Sequence, residues 1–337
     1  MRGYGKIILG INPGIVLFIE INMKTAVRFS FFLFLSGFFL TSCNFLKKDS
    51  KESKVETKKT ASGILSGELD VLVDETILSI ITEHKELFEG SYPNAQINLI
   101  AENEKVAIHK LINREADFAI LTRTLDEEES LSFEKRSIKP RVFPAAKEGI
   151  VFFTNHDGSD SKIQLEQVKS LLRGEEIEGF NTLLFESINS SLFRQLKNIF
   201  NIDKVSGAKV SETESLDSLV SKVVREPGVI AVVSYDEFRT IKKTFKDINK
   251  IRILDVQNSM GEQADGDYYA PTQSNFGLGK YPLMRDIYVL NYQPKTALGI
   301  GWSSFITGDR GQRVFLKAGM LPDTMPGREI IIRDKVE

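Results

Sequence analysis

Leu69-Asp70-Val71-Leu72-Val73, followed at once by Asp74 and then by Ile77, Ile80, Ile81 and Leu87, is the stretch whose reading decides the fold. The first five residues read as a strand, and Asp74 reads as a helix N-cap. The isoleucines and Leu87 recur at helical spacing and predict an apolar stripe facing a sheet. Gly90, with Pro93 beyond it, predicts the end of that helix.

Working outward, the same unit repeats. Ala95 to Ala101 reads as a strand and Lys105 to Asn113 as a helix with Ala107, Ile108, Leu111 and Ile112 inward. Asp117 to Leu121 is a buried strand ending at Thr122-Arg123, and Gly149 to Thr154 is another. Then come a helix at Leu165 to Arg173 stopped by Gly174, a strand at Thr182 to Phe185, and Asn189-Ser190-Ser191 capping a helix at Leu192 to Phe200. Leu216 to Val224 reads as a helix, and Pro227-Gly228 turns into the strand Val229 to Val233. An apolar run at Tyr281 to Leu290 and helices near Ser303 to Thr307 and Gln312 to Ala318 complete the pattern. Strands alternating with amphipathic helices predict an α/β architecture.

The chain has 337 residues, 42% hydrophobic and 27% charged, enough for two α/β domains with their own cores. Its formal net charge is −2 and no basic stretch interleaves with aromatics, which argues against a nucleic-acid partner. The single cysteine, Cys43, has no partner for a disulfide. Before it stand Lys24 and Arg28, an apolar run from Phe29 to Leu40, then Thr41-Ser42. That order describes an export signal, too short to span a membrane, and with Cys at the cleavage point it resembles a bacterial lipobox. Cys43 is therefore expected to be lipidated, against the plainer reading of a buried free thiol. Met23 is expected to be the true start. Residues 1 to 42 would be the signal region, and their loss leaves a net charge of −5 on the remainder. Residues 43 to 63, rich in Lys, Glu, Ser and Thr, would be a disordered tether.

Three loops share one design, a strand's carboxyl end followed by small polar residues: Asp74-Glu75-Thr76, Thr122-Arg123-Thr124 and Asn189-Ser190-Ser191. Ligands in open α/β sheets sit outside the carboxyl ends of strands. Two of the loops open helices, whose N–H groups and dipoles favour an anion. Thr76, Thr122, Ser190 and Ser191 offer hydroxyl donors, and Arg123 offers a charge and a fork of donors. Each loop alone also reads as a plain cap or a solvated turn. Their convergence is what carries the expectation of a small-anion site.

These residues resemble the substrate-binding proteins of phosphate ABC importers, from about Leu65 to the C-terminus. The most specific stretch is Tyr281-Pro282-Leu283-Met284-Arg285-Asp286-Ile287-Tyr288. Next comes Ser304-Phe305-Ile306-Thr307 through Gly311-Gln312 to Lys317-Ala318-Gly319-Met320-Leu321-Pro322. Tyr92-Pro93, Ala116 to Ala119 with Arg123, and Pro227-Gly228-Val229-Ile230 stand in family order. The resemblance implies a two-lobed periplasmic-binding-protein fold of type II, hinged on two crossover strands. Lobe 1 would be residues 64 to 147 plus 270 to 337, and lobe 2 residues 148 to 269. It implies phosphate or a similar oxyanion as ligand, a membrane-embedded ABC permease as partner, a lipid anchor to the membrane, and a monomer in the periplasm or at the cell surface. The expected ligand residues are Asp74, Glu75, Thr76, Thr122, Arg123, Asn189, Ser190 and Ser191, with no cofactor and no metal.

The sequence departs from the family at two places. Glu186 stands four residues before Ser190, where many members have Arg, and Thr122 stands where many have Asp. The cation would then move to Arg123 and the acceptor to Asp74 or Glu75. An enzyme is disfavoured: His84, His109 and His156 form no H-E-x-x-H spacing. A G-x-S-x-G elbow is missing, and Gly277-Leu278-Gly279-Lys280 is no P-loop. The other reading is a surface lipoprotein of related fold that binds another oxyanion or acts as a sensor or adhesion module.

Overall fold

The computed structural model describes residues 63–157 and 161–325. The signal region, Cys43 and the tether up to residue 62 lie outside the described residues. The first units run β1 (Gly67–Asp74), α1 (Leu78–Ser91), β2 (Ala95–Glu102), α2 (Glu104–Ile112), β3 (Phe118–Leu121), α3 (Glu127–Glu134) and the long β4 (Arg141–Asn155). Then follow β5 (Lys162–Ile163), α4 (Leu165–Arg173), β6 (Thr182–Phe185), α5 (Ser191–Ile199), β7 (Val210–Glu212), α6 (Leu216–Arg225), β8 (Val229–Ser234) and α7 (Tyr235–Thr244). The last are β9 (Ile251–Ile253), β10 (Asp255–Gln257), β11 (Tyr268–Tyr269), α8 (Gln273–Gly277), β12 (Met284–Asn291), α9 (Leu298–Thr307), α10 (Asp309–Lys317) and β13 (Leu321–Pro322).

The main sheet runs β2-β1-β3-β12-β4-β8-β6-β7. In its first half β1 is parallel to β2 and β3, while β12 is antiparallel to β3. Period-2 alternation serves both faces there. Leu69, Val71 and Val73 point into a core with α1, α9 and α10, and Leu72 into one with α2 and α3. The second half is built likewise: α4 and α5 cover one face through Val168, Leu171, Leu192 and Leu196. Leu219, Val223, Phe238 and Ile241 of α6 and α7 cover the other.

Two stretches of chain join the halves. β4 pairs with β12 up to Gly149 and with β8 from Ile150 onward. The chain returns beside it, with Ile150 N–H donating to Leu283 O at 2.8 Å and Tyr281 Oη donating to Ile150 O at 2.5 Å. A Cβ on Gly149 would lie 2.7 Å from the Phe276 ring and 3.2 Å from that of Tyr281, so only glycine fits this crossing. Phe276, Tyr281 and Leu283 pack in a core of the second half. The sequence reading expected the return near residue 270; Met284 also packs partly against this core.

Local expectations fared unevenly. The helix of Leu165 to Arg173 ends at left-handed Gly174, φ 82°, as read. Gly90 does not stop α1, which continues to Ser91. Asp74 caps only the single 3₁₀ turn Glu75–Ile77, not α1. Both α3 and α7 escaped the reading, although α3 opens on a capping box, Asp126 with Glu129, and α7 on Ser234 with Glu237.

Candidate functional site

The first loop is held by Asp74, a fully buried carboxylate. It accepts from Thr76 N–H at 3.0 Å and from Thr76 Oγ1 at 2.6 Å. The second loop reaches the same carboxylate, as Thr122 Oγ1 lies 3.4 Å from Asp74 Oδ2 and 3.4 Å from Glu104 Oε2. The third loop arrives from the other half of the sheet. Ser190 accepts from Phe193 N–H to cap α5, and Ser191 sets its Oγ 3.3 Å from Thr76 Oγ1. Hydroxyls 115 residues apart in the chain thus meet at one point.

The cation at that point is Arg285. Its Nη2 donates to Thr76 Oγ1 at 2.8 Å and its Nη1 to Ser191 Oγ at 3.1 Å. Glu148 Oε1 accepts from Nε at 2.8 Å and from Nη2 at 2.5 Å. Both members of this ion pair are shut off from solvent, with side chains 0% exposed. Burial works against the Arg285 charge, but Glu148, Asp74 and Glu237 outweigh it and hold the guanidinium above its usual value. Four of the five N–H groups are committed by these bonds, leaving one on Nη1. Ser191 accepts from Arg285 and, because Thr76 gives its proton to Asp74, donates the long 3.3 Å contact to Thr76 Oγ1, from which an anion could draw it. The cluster can therefore offer a cationic N–H and a hydroxyl to one small anion.

Arg123, expected to carry the ligand's positive charge, is committed elsewhere. Its Nη1 and Nη2 donate to the two Glu129 oxygens at 2.7 and 2.8 Å, and its Nε donates to Glu104 Oε1 at 2.8 Å. Hydrogen bonding to Glu129, then to Glu104, raises its guanidinium above the usual value. Glu104 also receives Arg194 from the opposite half, Nη2 to Oε2 at 2.7 Å. Two carboxylates therefore neutralise the charge that sequence reasoning assigned to the ligand.

The remaining expected residues lie at the margin. Asn189 is exposed, and its N–H donates to Ser187 Oγ. Partial loss of solvent, then the like charges of Asp74, Glu186 and Glu102, raises the Glu75 carboxyl. Burial raises Glu186, which borders a crevice of about 370 Å³ shared with Asp217, Thr240 and Phe245. At the α1 N-terminus one amide is already committed, Ile80 N–H donating to Asp236 Oδ2 at 2.8 Å. Among the described residues, no group of three or more His, Cys, Asp or Glu is placed to hold a metal ion.

Sequence reasoning missed Arg285 and Glu148 although a signal was present. Leu283, Arg285, Ile287 and Val289 share one buried strand face, as do Ala146, Glu148 and Ile150. A charge at alternate spacing among buried apolar residues must be paired. Arg285 stood inside the most specific stretch of the sequence and was read there as framework.

The model of the PBP superfamily domain matches residues 56–310. The chain belongs to this superfamily. Its fold is the two-lobed α/β fold of periplasmic binding proteins. Among curated relatives, the phosphate-binding protein PstS of Pseudomonas aeruginosa is 22% identical over 279 residues, covering 78% of this chain and 84% of that one. The Staphylococcus haemolyticus phosphate-binding protein PstS is 21% identical, covering 72% and 74%. Among solved structures, a Clostridium perfringens protein with bound phosphate, assigned as a phosphate ABC transporter substrate-binding protein, aligns with TM-score 0.61 at 15% identity. That alignment covers 77% of this chain and all of the other. An ABC-type phosphate transport receptor from Vibrio cholerae aligns with TM-score 0.58 at 14% identity, covering 76% and 100%. These relatives are binding and transport proteins, not enzymes.

Proposed function

We propose that the protein is an extracytoplasmic lipoprotein that captures inorganic phosphate between its lobes and delivers it to an ABC permease. The observation that carries this reading is the meeting of Thr76 and Ser191, from opposite halves, on the buried guanidinium of Arg285. A small oxyanion there receives donors from both halves at once, which is how a hinged protein converts binding into closure. The lobes are residues 63–149 with 284–325, and 150–283, turning about the paired crossings at Gly149 and Leu283. Cys43 carries the lipid, and the stretch after it tethers the folded part to the membrane. The expected ligand residues Thr76, Ser190, Ser191 and Thr122 remain in this proposal, with Arg285 taking the place given to Arg123.

Calorimetric titration of the chain from Cys43 onward with phosphate and with sulfate tests the reading. Saturable 1:1 binding of phosphate with weaker sulfate binding is expected. No heat with phosphate at millimolar concentration sinks it. A second reading, capture of a different oxyanion, is favoured by Thr122, which stands where many phosphate binders have an Asp that accepts the ligand's proton. Tighter binding of sulfate than of phosphate in the same titration selects it.

A further inference from the structure

The N-terminus of α1 lacks a side-chain cap of its own, being preceded by Ile77. The carboxylate that serves it comes from the other half. Asp236, the second residue of α7, accepts the Ile80 N–H across a sequence separation of 156. Its neighbours reinforce the contact. Ser234 Oγ donates to Thr76 O at 2.6 Å, and Arg239 bridges Asp236 Oδ1 and Glu83 Oε1, each at 2.8 Å. Lys243 reaches the same Glu83 oxygen at 3.1 Å. The Asp236 N–H donates to Glu148 Oε2 at 2.9 Å, and Glu148 Oε1 holds Arg285. The carboxylates of Asp236 and Glu148 thus touch the α1 backbone on one side and the buried cation on the other, with Ser234 holding the first-loop carbonyl between them.

We propose that Asp236 is a positioning residue of the anion site: it docks α7 on α1 and, through Glu148 and the Thr76 loop, aligns Arg285 with the hydroxyls of both halves. This rests on the reading of the cleft as a phosphate site. A plain helix cap would only add stability, whereas this one joins the two halves beside the buried cation. The groups facing Asp236 are Glu148 from β4, Glu83 from α1, and Arg239, Glu237 and Tyr235 from α7. Arg285 and Asp74 lie beyond Glu148, and Lys243 beside Glu83. Burial, with the like charge of Glu148, pushes the Asp236 carboxyl up to about 7.

When α7 parts from α1, that carboxyl regains solvent and returns toward its ordinary value near 4. The assembled form holds the proton more tightly, so assembly weakens as pH rises from about 4 and levels off above about 7. Between pH 6 and pH 8 the further loss is about tenfold. The test is phosphate titration at pH 6, 7 and 8 of the parent, Asp236→Asn and Asp236→Ala. Phosphate's own ionisation acts equally on all three, so the ratio of affinities is the quantity read. Asn keeps an acceptor for Ile80 N–H and carries no charge. Its affinity relative to the parent should therefore rise about tenfold from pH 6 to pH 8, with Ala weaker than Asn throughout. Affinities of Asp236→Asn and Asp236→Ala that both stay within about twofold of the parent at every pH overturn the proposal. Hydrogen exchange at the Ile80 amide, without phosphate and corrected for intrinsic rate, supplies a second readout. It should quicken in the parent at pH 8 and not in Asp236→Asn. If the parent binds no phosphate, the functional reading fails and this exchange result alone decides the role of Asp236.

Discussion

Replacing Arg285 by Lys separates the site's cation from the fold's ion pair. The native guanidinium gives two bonds to Glu148 and one to each of Thr76 and Ser191. A lysine ammonium keeps the charge beside Glu148 but is a single point with no fork, so it cannot span both hydroxyls. At least one charge-assisted hydrogen bond on the ligand side is lost, worth roughly 1.5–3 kcal/mol. That corresponds to an affinity about 10- to 150-fold weaker. Arg285→Met instead strands Glu148 in the interior and should cost roughly 3–5 kcal/mol of stability, with Glu148→Gln in the same chain restoring much of it. Calorimetry reads the first effect and denaturant unfolding the second. Arg123→Ala is the matched control: its guanidinium is bound by Glu129 and Glu104, so phosphate affinity should stay within about twofold of the parent. A folded Arg285→Lys protein that binds phosphate within about twofold of the parent, roughly 0.4 kcal/mol, refutes the assignment of the cation. A large loss in Arg123→Ala would return the charge to that residue.

Three further outcomes follow from other parts of the chain. Cys43→Ser should release the protein from membranes on fractionation; an unchanged membrane fraction discards the lipid anchor. Gly149→Ala places a methyl 2.7 Å from the Phe276 ring, so the unfolding midpoint should fall by the equivalent of about 1–3 kcal/mol. An unaltered midpoint would mean that this crossing has slack. His84 is fully buried between the carbonyls of Ile80 and Gly311, at 2.8 and 3.0 Å, and burial pushes its imidazole down to about 4. Its folded value lies below the unfolded one near 6.5, so the unfolded chain takes up the extra proton between these values. Stability should drop as pH falls from about 6.5 to 4, by about 3 kcal/mol from this residue. Denaturant unfolding at both ends of that range should show a shallower drop in His84→Gln; equal slopes would remove His84 as the cause.

Much of the fold was legible because apolar periodicity reports burial directly. The β1–α1 unit, the α4 helix with its Gly174 cap and the β6 and β8 strands could be read from spacing alone. Long-range pairing left weaker traces. The first half of β4 reads Arg-Val-Phe-Pro-Ala-Ala-Lys-Glu, a mixed pattern, because its partner β12 and the covering helices come from the far end of the chain. α7 reads as a polar segment with few apolar residues, since its role is to bring Ser234, Asp236 and Arg239 against α1. The meeting of Thr76 and Ser191 was legible because strand ends announce themselves by a change of composition. The buried cation beside them was not, since sequence reasoning looked for a charge on an exposed loop. Arg123 met that expectation and is spent on two glutamates. Arg285 lies in a strand, and only its position on a buried face gave it away.

The placement of Arg285 also explains why the most specific stretch of the sequence lies on the crossing between the halves and not in a loop. Tyr281 and Leu283 fix the return crossing to Ile150, and Arg285, two residues on, fixes it to Glu148, two residues before Ile150. Moving either strand by one residue would turn Arg285 or Glu148 out of the interior and leave its partner buried and unpaired. The same pair presents a guanidinium to Thr76 and Ser191, so crossing register and site geometry are set by the same side chains. A loop can exchange one polar group for another, as where Thr122 stands in the place of an Asp, and still offer a polar contact. A hinge whose ion pair is also the site's charge has no such freedom. With Glu186 in the third loop, the point where the halves meet still carries a cation, because Arg285 belongs to a strand and not to a loop.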